Sequence, residues 1–220
     1  MNQDIIHVYF MPGMAASSKI FEYIELPENQ FQIHYLEWLI PSDNELLSDY
    51  ARRMSEIIEH KKCVLLGVSF GGVLVQEMSK YLNVQKLIII SSIKSRNELP
   101  KKMILAKVTR AYKLLPVQLV SNIDLFSKYM FGSNITKRME LYKKYLSVND
   151  SNYLNWAIEN MVCWTQEEDI PDIIHIHGDN DAVFPIKNIK ACITVENGTH
   201  VMILNKYKWF NEHLPKLILD

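Results

Sequence analysis

Charge of one sign is what this 220-residue chain has least of: 24 lysines and arginines stand against 25 acidic residues, a formal net charge of −1. That balance provides no global field of the kind that draws a protein to nucleic acid or to an anionic membrane. Cysteine is scarce as well. Cys63, Cys163 and Cys192 are odd in number, far apart and flanked by apolar residues, so the sequence predicts three reduced thiols in the core of a cytoplasmic protein. Neither a disulfide framework nor a cysteine zinc site fits them. No apolar run approaches the roughly 20 residues of a membrane span. The stretch 5–11 is interrupted by His7 and stopped by Pro12, with no basic segment ahead of it, which does not match a secretion signal. Glycine, finally, occurs only seven times, so each position carries information. Gly13 follows the first apolar run, Gly67, Gly71 and Gly72 surround the end of another, Gly178 follows a later one, and Gly198 precedes His200.

What is present is ordinary globular material, 48% hydrophobic and 22% charged, in a length that suits one domain or one domain with a large insertion. Short apolar runs rich in β-branched residues predict strands at 5–10, 31–37, 63–68, 86–91, 173–177 and 191–196. Several are continuously apolar, as strands covered on both faces of a parallel sheet are. Between them, 45–60 and 70–82 carry apolar residues at helical spacing. Alternating strands and helices predict an α/β protein with a mostly parallel central sheet of about six strands flanked by helices.

The alternation stops over 94–168. Four segments of helical spacing, 103–115, 116–131, 135–146 and 152–164, are separated by Pro116, by Gly132-Ser133-Asn134 and by Asn149-Asp150-Ser151. The reading is therefore a core built from 1–93 and 169–220, with an all-helical insertion at 94–168. The insertion holds 12 basic and 7 acidic residues, a surplus of 5 that leaves the remainder at −6. Either solvated helix faces or a surface that steers anionic substrates accounts for this, the first being the plainer reading. Its aromatic residues, Tyr112, Trp156 and Trp164 among them, serve either as packing against the sheet or as lining for an acyl pocket.

One constellation carries chemistry. Gly67-Val68-Ser69-Phe70-Gly71 lies between a predicted strand and a predicted helix, the context in which a GxSxG segment makes a sharp turn and presents its serine at a helix amino end. A serine hydroxyl is a weak nucleophile and needs a general base, itself oriented by an acid. His200, in Asn197-Gly198-Thr199-His200, follows the last predicted strand. The other histidines lie in strands (His7, His34, His175, His177) or on helices (His60, His213) and are worse placed as bases. Beyond the fifth strand, Gly178-Asp179-Asn180-Asp181 supplies two acids. Asp181 is favoured, because Asp179 directly follows the glycine and suits turn capping. The segment after the fourth strand, Ser91-Ser92-Ile93-Lys94, has no carboxylate. Donors for a tetrahedral oxyanion would be the backbone N–H groups of Phe70, after the serine, and of Met14, in the Pro12-Gly13 turn.

Together these segments resemble the α/β-hydrolase superfamily, and the chain looks like a small, lid-bearing member of it. The resemblance covers nearly all of the chain except the insertion. It is carried by GxSxG at 67–71, by His177-Gly178 through Asp181 to Pro185, and by Gly198-Thr199-His200, in the order nucleophile, acid, base. It implies Ser69 as nucleophile, His200 as base, Asp181 as its partner, Phe70 and Met14 as oxyanion donors, and the insertion as a cap over the site. Where the superfamily often has His-Gly at the end of its first strand, this chain has Met11-Pro12-Gly13, as some thioesterase- and lipase-like members do, which leaves the second donor open. The function implied is hydrolysis of a small-molecule acyl ester or thioester through an acyl-enzyme, with no cofactor and no metal. Enzymes of this kind that displace halide or open epoxides use a carboxylate where Ser69 stands. A ligand-binding or receptor-like protein on the same scaffold is the alternative.

Overall fold

The computed structural model describes residues 5–114 and 144–220. Its core is a six-stranded, all-parallel sheet in the order β2-β1-β3-β4-β5-β6, formed by β1 (Ile6–Met11), β2 (Phe31–Tyr35), β3 (Cys63–Val68), β4 (Val84–Ile90), β5 (Ile174–Gly178) and β6 (Ile193–Val195). All six predicted strands are present. The continuously apolar ones are central: β3 is buried along its whole length and Leu87–Ile90 of β4 likewise, because helices cover both faces. β6 is shorter than 191–196. Ala191 takes a left-handed backbone, φ 38°, which cannot continue a strand.

The helices are α1 (Leu47–Ser55), α2 (Phe70–Met78), α3 (Lys101–Thr109), α4 (Ser151–Cys163), α5 (Met202–Asn205) and α6 (Tyr207–Leu219). α1 ends five residues before the predicted limit. Ser55 Oγ donates to the Arg52 carbonyl at 2.6 Å, and the Ile57 and Ile58 amides turn back to Met54 and Ser55, tightening the last turn. His60 consequently lies in a loop and not on a helix, a correction to the sequence reading. A second correction concerns the thiols: Cys63 is buried, but Cys163 and Cys192 are only half-buried, the first at the end of α4 and the second just ahead of edge strand β6. α4 starts where Asp150 accepts the Tyr153 N–H at 2.9 Å. The segments at 116–131 and 135–146 expected to be helical lie outside the described residues, except for the last three positions. Among the described residues no helix is long and apolar enough to cross a membrane.

Strand order places the site. The chain runs from β1 to β2 on one side, then crosses to put β3 on the other side of β1, so the connections after β1 and β3 diverge from adjacent strand ends. Crevices at the carboxyl ends of such strands are where open α/β sheets hold ligands. Register brings the ends level. Met11 pairs with Gly67, Val68 with Ile90, and Gly178 with Val195, so the turns that follow β1, β3, β5 and β6 share one rim.

Candidate active site

Ser69 sits between β3 and α2 with φ 54° and ψ −122°, a conformation that costs on the order of 1–3 kcal/mol in a residue with a side chain. Surrounding bonds hold it there. Its N–H donates to the Ile90 carbonyl at 2.9 Å, and its own carbonyl accepts from Ser92 Oγ at 2.7 Å and from the Gly72 N–H at 2.9 Å. The flanking glycines are required by close approach: a Cβ at Gly67 would collide with the Gly71 carbonyl, and one at Gly71 with the Pro12 carbonyl. The second collision shows that the turn after β1 lies directly on the first turn of α2.

On the other side of the rim, His200 Nε2 lies 2.9 Å from Ser69 Oγ, and its Nδ1 lies 2.9 Å from Asp181 Oδ2. The other oxygen of Asp181 accepts the Val183 and Phe184 amides at 2.8 and 2.9 Å. Burial alone would raise the Asp181 pKa; the adjacent His200, the Phe184 amide and His177 outweigh it and hold the carboxyl below its ordinary value. With Asp181 ionised, His200 Nδ1–H donates to it, and Nε2 is left to accept the Ser69 hydroxyl proton. All three residues are shielded, at 8%, 4% and 7% exposure for Ser69, Asp181 and His200. Asp179 is exposed, and its backbone N–H contacts the Val195 carbonyl at 3.4 Å. The two loops meet through glycine, since a Cβ on Gly178 would strike the Gly198 backbone.

Phe70 follows the serine directly, and Met14 follows Gly13, whose turn approaches it. A Cβ on Gly13 would lie 3.4 Å from Ser69 Cβ, so the Gly13 turn is in contact with the nucleophile candidate. Phe70 is the first residue of α2, one of the positions whose amides find no acceptor inside a helix. The turn is braced by residues that sequence reasoning did not single out. Trp38 Nε1–H donates to the Gly13 carbonyl at 2.9 Å while its ring stacks on Phe70 at 5.3 Å. The Tyr153 hydroxyl, from α4, accepts the Ala15 N–H at 3.3 Å. The Ser17 amide donates to Tyr145, and the Val148 amide to Ala15. Trp38 could have been suspected from its place beyond the end of β2; nothing in the sequence marks Tyr153.

His177 was also passed over. Its Nε2–H donates to the Phe184 carbonyl at 2.8 Å, and its Nδ1 accepts from His175 Nε2 at 3.1 Å. Burial first, then the neighbouring imidazole, lowers the His175 pKa to about 3, so both rings are neutral. Of the aromatic residues in the insertion, Trp156 approaches Phe70 edge-on at 5.9 Å, whereas Trp164 Nε1–H bonds Glu77 on α2 and serves packing.

At the level of sequence, no protein-family profile and no curated protein matches the chain. Solved structures do. The carboxylesterase structure from Nitrososphaera gargenis superimposes with TM-score 0.70 at 14% identity, covering 98% of this chain and 90% of that one. An esterase from Exiguobacterium antarcticum gives 0.70 at 18% identity over 100% and 94%. An epoxide hydrolase from Bacillus megaterium gives 0.68 at 16% over 100% and 95%. The chain has the α/β-hydrolase fold.

Proposed function

We propose that the protein is a serine hydrolase that cleaves a carboxylic ester or thioester through an acyl-enzyme. The observation that carries this reading is the unbroken chain from Ser69 Oγ through the His200 ring to Asp181, two contacts of 2.9 Å each, on a strained turn. In the proposed reaction the Ser69 oxygen attacks the substrate carbonyl as its proton passes to His200 Nε2. Asp181 stabilises the resulting imidazolium. The Phe70 and Met14 amides receive the oxyanion, each worth about 2.7–4 kcal/mol of barrier in sites of this kind. His200 then returns the proton to the departing alkoxide or thiolate, and a water activated the same way releases the acid. The esterase and carboxylesterase neighbours share this fold. The epoxide hydrolase neighbour shares the fold, but a hydroxyl nucleophile suits acyl transfer better than epoxide opening.

Residues 94–168 are proposed to act as a cap whose α4 reaches the turn after β1 through Tyr153 and Phe70 through Trp156. The test is covalent capture. A fluorophosphonate probe should label the wild-type chain at Ser69, as mapped by peptide mass, and Ser69→Ala should lower turnover of a short-chain p-nitrophenyl ester by up to roughly 10⁶. Wild-type turnover in that variant would refute the assignment. Tight ligand binding without labelling would instead support the receptor-like alternative.

A further inference from the structure

A second constellation lies toward the amino-terminal ends of β1 and β3. His7 on β1, His34 on β2 and His60 in the loop before β3 each offer one ring nitrogen, and these nitrogens all lie within 4.8 Å of one another. Strand register explains the convergence. Tyr9 pairs with His34 and His7 with Gln32, so His7, Tyr9 and His34 project from one face of the sheet. The loop that follows α1 brings His60 to that face, where its ring stacks on His7 with centroids 3.4 Å apart. Nothing in the proposed hydrolytic chemistry uses these side chains. Six residues of extended β3, about 20 Å, separate the start of that strand from Ser69.

We propose that His7, His34 and His60 form a binding site for a divalent ion of the zinc and copper class, held by three imidazole nitrogens with a remaining position open to solvent. The donor chemistry selects the ion: three imidazole nitrogens suit zinc, copper or nickel and offer nothing to magnesium or calcium, which take oxygen ligands. His7 Nδ1 and His34 Nε2 lie 2.9 Å apart, a separation spanned by one proton without metal, and the rings need part by only about 0.4 Å to reach the roughly 3.3 Å between two nitrogens on one tetrahedral ion. The Tyr9 hydroxyl lies 2.6 Å from His60 Nδ1, fixing that ring and leaving its Nε2 as the donor, the usual role of an outer partner in metal sites. The other titratable groups facing the cluster are Glu59, whose negative charge acts on both His34 and Tyr9, and the Cys63 thiol, which burial pushes up to about 11. A bound ion would tie β1, β2 and the loop before β3 together at the sheet's edge, independently of catalysis.

The full chain, stripped with chelator, is titrated with zinc chloride in competition with a chromophoric chelator. One zinc per chain is expected, with excess magnesium failing to displace it. His34→Gln and His60→Gln, each checked for wild-type circular dichroism, should weaken zinc binding by more than about 10-fold while leaving ester turnover unchanged. Independently of any variant, copper bound to the wild-type chain should show nitrogen superhyperfine splitting by electron paramagnetic resonance, and zinc should protect His7, His34 and His60 from diethyl pyrocarbonate. No stoichiometric zinc, wild-type affinity in both folded variants, or a copper signal without nitrogen coupling would overturn the proposal.

Discussion

Asp181 does two jobs with its two oxygens: Oδ2 meets His200 and Oδ1 anchors the Val183 and Phe184 amides. Asp181→Asn preserves much of the packing but presents a neutral amide to His200 Nδ1, favouring the wrong imidazole tautomer. On the proposed mechanism kcat should drop by about 10⁴ with little change in KM, measured by steady-state ester hydrolysis. His177 acts one step further out. It never meets substrate in this scheme; it holds the Phe184 carbonyl that closes the acid loop. His177→Phe should therefore lower kcat, by less than Asp181→Asn does, through a loosened Asp181, and at most slightly alter KM. A matching loss in the fraction of chains that bind the fluorophosphonate probe would instead assign His177 to general stability.

At the scale of elements, the rim is assembled by loops that interlock only because side chains are absent at their crossings. Gly198 is packed against the Gly178 backbone and the Val195 carbonyl. Gly198→Ala must part the β5 and β6 loops, moving His200 relative to Asp181. Loss of ester turnover together with a melting temperature lowered by several degrees is the expected pairing. The segment after β4 is fixed differently, by a buried carboxylate. Glu98 accepts the Lys94 and Lys190 amides at 2.7 Å each, and Lys94 Nζ, 4.0 Å from Glu98, reaches Asp169 at 3.0 Å. Glu98→Ala leaves the buried Lys94 amide and the partly buried Lys190 amide without acceptors and a lysine with one anion fewer. A loss of about 3–5 kcal/mol in urea unfolding is expected.

For the whole molecule, the buried ionisable groups around the site make acid the direction of failure. His175 titrates near 6.5 when unfolded and at about 3 when folded, so between those values the unfolded chain binds the extra proton and stability falls as pH falls. His177 shifts in the same direction, and Asp181, also lowered, adds a further loss below the ordinary aspartate range. Urea unfolding from pH 7 to pH 4 should show a decrease to which His175 contributes on the order of 3 kcal/mol. A His175→Phe variant should have a flatter profile, and an unchanged slope would disprove the attribution.

Much of the fold was legible because it rests on local rules. Six apolar runs became six strands, since a strand covered on both faces must be apolar at nearly every position. Ser69 stood out because a strained turn tolerates few residues at 67 and 71. Helix limits were less legible: α1 stops at Ser55 through a hydrogen bond from its own side chain, and His60 moved into a loop as a result. By itself, then, the amino-acid order determined the α/β alternation and which residue types stand at strand ends. Strand order and register decided what meets what. They brought Asp181 and His200 together across 19 positions and Ser69 to His200 across 131, placed Tyr153 on the Ala15 amide, and gathered His7, His34 and His60. The physical reason is that patterning reflects each segment's own burial, whereas contact between distant segments follows from pairing and packing that no short stretch of chain contains.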